Sequence, residues 1–123
     1  MKIFLLISAI SGFLSVALGA FGAHLLEGRI PDKYIETWQT GVQYQMFHTI
    51  AIVTVALLMI KLPNVGMLHT SGWLFLVGII LFSGSLYVLS LTQIGVLGAI
   101  TPLGGVSFLA GWVLVAIVAL KHL

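Results

Sequence analysis

Apolar residues along this chain run in long blocks, and the polar interruptions between them are short. Stretches without a charged side chain cover 3–26, 37–60 and 62–120. A helix needs about 20 apolar residues to cross the hydrocarbon core of a bilayer, so the first two stretches hold one crossing each and the third holds two. The pattern predicts an all-α integral membrane protein, a four-transmembrane-helix bundle forming one domain over 1–123. The expected spans lie at about 3–23, 43–60, 73–91 and 96–120.

The breaks carry the punctuation of helix ends. Pro31 suits the first position of a helix, where its missing N–H would be unpaired anyway. Asp32 and Glu36 then face the positive end of the helix dipole. The second helix is therefore expected to start before its crossing, as an interfacial segment over 32–43 with Tyr34, Trp38 and Val42 on one face. Lys61-Leu62-Pro63-Asn64 ends it, and the hydroxyl of Thr70 or Ser71 is the expected cap of the third helix. Thr92 to Gly95 reads as a tight turn, making the last two spans a hairpin.

Composition agrees with the pattern: mean hydropathy is +1.21 and only 7% of residues are charged, too few to dress a 13.2 kDa soluble surface. With no cysteine there is neither disulfide nor thiolate chemistry. A net charge of +2 is too small to imply a nucleic-acid partner. The charges bear on topology instead. Lys2, Lys61 and Lys121 fall on the side of the termini, Arg29 and Lys33 on the other, a small excess that favours cytoplasmic termini in a bacterial cytoplasmic membrane. The first apolar run is longer than the core of a secretory signal peptide. It also carries a stripe of small residues, Ser8, Ser11 or Gly12, Ser15 and Gly19, of the kind on which membrane helices approach closely.

Polar groups in hydrocarbon cost several kcal/mol unless paired, so those within spans mark inward-facing surfaces. Thr40, Tyr44 and His48 share one stripe of the second helix, with Gln45 and Thr49 on an adjoining one. Ser83, Tyr87 and Ser90 share a face of the third, and Thr101-Pro102-Leu103-Gly104-Gly105 opens the fourth. These are expected to meet in a cluster around Tyr44, His48, Tyr87 and Thr101, with His48 about two turns inside the boundary and His24 on the same side. Two readings of His48 are open. It is a proton-accepting or ligand-binding group paired with His24, or a neutral histidine hydrogen-bonded to hold helices in register, which is the commoner case. Pro102 next to two glycines is either a broken helix lining a site or a helix entrance with a close packing surface.

Several chemistries lack their residues. No Asp or Glu lies within a span, so a carboxylate relay has nothing to run on. Neither a phosphate-binding glycine loop, nor a zinc-protease histidine pair, nor a nucleophile elbow occurs. We expect no enzyme, no cofactor and no metal site.

Gly19-Ala20-Phe21-Gly22-Ala23-His24, Trp38-Gln39-Thr40 with Tyr44-Gln45-Met46-Phe47-His48, Phe82-Ser83-Gly84-Ser85-Leu86-Tyr87, and Thr101-Pro102-Leu103-Gly104-Gly105 with Gly111-Trp112 occur in this order. Together they resemble the family filed as domain of unknown function 423, which looks related to the small eukaryotic transmembrane protein 256. The resemblance covers essentially the whole chain. It implies a small four-helix inner-membrane protein without an agreed activity, and supplies no catalytic residues. His24, Tyr44, His48, Tyr87, Thr101 and Pro102 are the signature positions and the candidate binding residues. Leu25 departs from a pattern in which a further glycine often follows the histidine.

The expected function is binding or permeation of a small solute, ion or lipid through the polar cluster. The alternative is a structural or accessory subunit of a membrane complex. So short a chain, with more glycine and serine faces than one bundle should use, predicts a homo-oligomer in contact with the lipid bilayer.

Overall fold

The computed structural model describes all 123 residues, Met1–Leu123. It is all-helical, and four helices are long and apolar enough to cross a membrane. We label them α1 (Lys2–Leu26), α2 (Asp32–Lys61), α3 (Gly66–Thr92) and α4 (Thr101–His122), the last led in by a 3-10 turn over Gly95–Ala99. Consecutive helices pack in a row, α1 on α2, α2 on α3 and α3 on α4. Phe4, Ile52, Val55, Leu68, Phe75, Phe108 and Val118 fill the centre.

The ends follow local chemistry with some departures from expectation. Pro31 precedes the first residue of α2 and occupies its cap position, extended at ψ 146°. The α1–α2 connection turns at Gly28, whose φ of 78° suits a residue without Cβ. Helix α3 begins at Gly66, earlier than Thr70 or Ser71; their hydroxyls donate back to the carbonyls of Gly66 and Leu68 and cap nothing. Its other end closes on Gln93 in the left-handed conformation. Pro102 sits in the first turn of α4, where a missing N–H costs no helical bond, so it makes an entrance and not a break.

Two stretches were invisible to hydropathy. Ala17–Gly22 in α1 and Ile79–Ser83 in α3 are wound as π-helix. The wider π turn resets which residues face the neighbour downstream of it. Trp38 donates its indole N–H to the carbonyl of Leu18, inside the first of these stretches, at 2.9 Å.

That contact turns one side of the 32–43 stretch onto α1. Trp38 is only 6% exposed, Val42 is equally buried, and the two lie against Gly22 and Gly19 of α1. Gly41 lies against the ring of Tyr87 and the carbonyl of Ser83, where a Cβ would come within 2.9 Å of the ring. Helix α2 is thus packed into the bundle from Trp38 onward. Its 30 residues span about 45 Å at 1.5 Å per residue, and His48 falls within about 3 Å of the mid-point. The histidine is near the middle of the helix.

Many of the small residues are used for packing between the helices. Ser8, Ser11 and Ser15 are buried, and Gly72, Gly78, Gly104 and Gly111 receive Phe4, Phe108, Phe82 and Phe75 respectively. Gly84 and Gly105, by contrast, meet nothing within 4 Å.

Candidate functional site

Two polar structures stand out within the spans. The first is a seam joining α1, α2 and α3. Gln45, 4% exposed, lies at its centre. Tyr87 donates to Gln45 Oε1 at 2.6 Å, and Gln45 Nε2 donates to the carbonyl and the Oγ of Ser11 at 3.1 and 3.3 Å. Thr49 gives its one proton to the carbonyl of Gln45, so the 2.6 Å and 2.7 Å contacts at Thr49 have a fixed direction: Ser11 is the donor to Thr49 Oγ1. Ser83 Oγ donates to the carbonyl of Gly41 at 2.6 Å beside it. No buried side-chain nitrogen or oxygen anywhere in the protein lacks a hydrogen-bond partner.

The second structure centres on His48, 3% exposed. Trp112 of α4 approaches with its indole nitrogen 3.1 Å from Nε2, and Nδ1 lies 2.8 Å from the carbonyl of Tyr44. An indole N–H only donates, so Nε2 accepts and the ring proton sits on Nδ1, which donates to Tyr44. Both nitrogens of a neutral imidazole are spent. The ring also stacks on Phe108, with centroids 3.5 Å apart and planes within 8°. Its bond to Trp112 is the single hydrogen bond that joins α2 to α4.

Around it α2 and α4 stand apart enough to leave a groove of about 470 Å³. Tyr44, Phe47 and His48 line one side, Pro102, Gly105, Val106, Leu109 and Trp112 the other, with Phe82 and Phe108 beneath. No charged side chain takes part. Val106, Leu109 and Phe47 are exposed along its rim, so it opens sideways, toward lipid. A Cβ at Gly105 would meet nothing within 4 Å.

The six candidate residues are therefore dispersed. Tyr44 and Pro102 line the groove and His48 forms its back. Tyr87 belongs to the seam. Thr101 bonds Ser85 at 2.6 Å, tying the start of α4 to α3. His24 is remote: its side chain is 83% exposed at the end of α1, with Nδ1 3.7 Å from Glu27 Oε2. It does not pair with His48. Sequence reasoning placed Gln45 and Thr49 on a secondary stripe and gave Trp112 no role. An aromatic with a donor, well inside a span, is the signal that could have singled out Trp112, since such a group in hydrocarbon requires an acceptor.

Four apolar helices joined by saturated polar contacts define a small multi-pass α-helical membrane protein. A family model described as protein of unknown function (DUF423) matches residues 18–105, and the chain belongs to that family. It is 56% identical to the UPF0382 membrane protein YwdK of Bacillus subtilis, with all of both chains covered. It is 45% identical over 121 residues to a UPF0382 membrane protein of Staphylococcus haemolyticus, covering 98% of each. A further relative, from Staphylococcus aureus strain USA300, is 46% identical over 121 residues, again covering 98% of each chain. No solved structure matches.

Proposed function

We propose that this protein is a non-catalytic binding protein that takes an apolar ligand from the bilayer into the α2–α4 groove, and is not a conduit for ions, protons or polar solutes. The observation that carries this reading is a contrast within the membrane. Buried polar side chains are spent on one another, whereas the largest cavity is aromatic, uncharged and open to lipid. A pore or relay needs polar groups free to exchange partners with the passing species. A groove of this size and lining is typical of small-molecule sites. We further infer a bacterial cytoplasmic membrane with the termini inside, from the small excess of lysine on that side, which puts the mouth near Pro102 toward the outer leaflet.

The test uses a photoactivatable C16 alkane in phosphatidylcholine nanodiscs, with mapping of the labelled peptides. Labelling of the 102–112 segment should saturate and fall at least tenfold in Gly105→Phe, which fills open space. Gly84→Phe, also in open space, should have no such effect. Labelling spread evenly over all lipid-facing surfaces, or indifferent to Gly105→Phe, would sink the idea.

A further inference from the structure

The two ends of the bundle differ in charge. Lys2, Lys61 and Lys121 stand at the end that holds the starts of α1 and α3 and the finishes of α2 and α4, with no acidic side chain among them. His69 and His122 lie at the same end and add no negative charge. At the opposite end Arg29 and Lys33 are mixed with Glu27, Asp32 and Glu36. The fold keeps the two populations apart. Glu36, the acid closest in sequence to Lys61, shares the unbroken helix α2 with it, and a rise of about 1.5 Å per residue puts about 37 Å between them. Exposed charges are screened beyond about 8 Å at physiological salt, so these acids cannot neutralise the lysines. Packing gathers the basic residues around one rim. Phe4, Met59, Leu68 and Val118 are buried in a single core, and Lys2, Lys61, His69 and Lys121, all exposed, follow or precede them closely on four different helices. Each lysine abuts a charge-free apolar run: Lys2 precedes 3–26, Lys61 separates 37–60 from 62–120, and Lys121 follows the last. A charge joined directly to a span lodges where the span meets water, and the lysine stem carries the ammonium to the headgroups. Trp73, 46% exposed and edge-on to Phe4 with centroids 5.1 Å apart, is an interfacial aromatic of the same end.

We propose that this basic rim binds anionic phospholipids, with headgroup phosphates seated against Lys2, Lys61 and Lys121. The inference is independent of the α2–α4 groove, whose mouth at Pro102 belongs to the opposite end. Helix dipoles account for part of the pattern only. Lys61 and Lys121 sit in the last turns of their helices, where the dipole favours a cation, but Lys2 is the first residue of α1, where the dipole opposes one. Its support has to come from an anion outside the protein. Shape and position select the source of that anion. None of the three lysines lines a cavity, so nothing encloses a small free anion. The connection from Lys61 to Gly66 is too short to raise a platform on which a soluble partner would dock. Lysines spaced around a bundle at headgroup level instead face the phosphates of the surrounding leaflet. Net charge selects the lipid. A phosphatidylcholine phosphate is already paired with its own ammonium group, whereas the phosphate of phosphatidylglycerol has no internal cation, so the lysines favour the second. Each lysine close to an anionic leaflet strengthens the attraction by up to about fivefold.

The experiment places purified protein in nanodiscs that mix phosphatidylglycerol with phosphatidylcholine, and labels it with a headgroup-photoactivatable analogue of each lipid, mapping the labelled peptides. Using purified protein keeps the direction of membrane insertion out of the readout. Wild type should take the phosphatidylglycerol probe about tenfold or more over the phosphatidylcholine probe, at the segments around Lys2, Lys61 and Lys121, and the preference should shrink as salt rises. Lys2→Gln, Lys61→Gln and Lys121→Gln should each lower it about two- to threefold, and the three together should bring it to within about twofold of parity. Replacing all three by arginine should preserve it, because charge and not the lysine stem is what the lipid reads. Arg29→Gln with Lys33→Gln, at the mixed end, should leave it unchanged. Equal labelling by the two probes in wild type overturns the proposal, as does a preference that survives the triple Gln variant or one that only the Arg29 and Lys33 changes abolish. Equal labelling combined with an acidic protein that wild type retains from bacterial membranes and the triple Gln variant releases would also overturn it, because the rim would then serve a protein partner. None of these outcomes bears on alkane labelling of the groove, so this proposal and the binding reading fail separately.

Discussion

The seam between α1, α2 and α3 and the groove between α2 and α4 lie at similar depth, and α2 contributes to both. In the seam, Gln45 uses its amide and its carbonyl oxygen on three partners from two other helices. In the groove, one turn of the same helix presents Tyr44, whose hydroxyl meets no protein atom. The difference comes from how closely the backbones approach. Small residues such as Ser11, Gly12, Gly19 and Gly41 bring α1 and α3 onto α2 and shut lipid out. Across the groove Phe47, His48, Phe108 and Trp112 hold α2 and α4 apart, so aromatic faces remain open. Polar side chains in a membrane are thus saturated where glycine and serine allow contact, and available where large rings prevent it.

The harshest way to break this comparison is to separate α3 from α4. Gly104 lies directly on Phe82, where a Cβ would be 2.8 Å from that residue's Cα, so Gly104→Leu must move backbone. We expect a loss of about 3 kcal/mol or more, read by unfolding in mixed micelles, with seam and groove failing together; stability within 1 kcal/mol of wild type would show that the approach is not a tight one.

A gentler change should separate the two regions. Gln45→Leu leaves Tyr87 without its acceptor and Ser11 without its donor, at a predicted cost of about 2 kcal/mol. Alkane labelling of the groove should survive it. A groove lost along with the seam would mean that they are one cooperative unit.

The smallest effect belongs to His48→Phe. The stack on Phe108 can persist, but the Trp112 N–H and the Tyr44 carbonyl lose their partner, for about 1 kcal/mol, within the range measured for interhelical bonds in membranes. Flux assays on the same variant are informative: a proton leak present in wild type and absent here would assign His48 a transport role that its two saturated nitrogens do not support.

How much of this was legible beforehand differs by residue. The four crossings follow from charge-free runs, because transfer into lipid adds up residue by residue along the chain. The family was legible from the ordered motifs. His48 was singled out as an isolated imidazole in a span. Trp38 looked like an interfacial anchor, and only the structure shows its indole bonded to Leu18 in a π-wound stretch of α1. The single cluster expected around Tyr44, His48, Tyr87 and Thr101 is divided because a rotation of one residue, 100° about a helix, sends a side chain to a different neighbour.

By itself, then, the sequence determined that the chain crosses the membrane as four helices, which segments do so, and that its intramembrane polar groups must find partners. The tertiary structure decided which partner each one found. Tyr87 went to Gln45, Trp112 to His48, Thr101 to Ser85, and Tyr44 was left facing lipid. Hydropathy is a property of one segment, whereas pairing depends on the relative rotation and approach of several, set by where glycines admit a neighbour and where a π turn shifts the register.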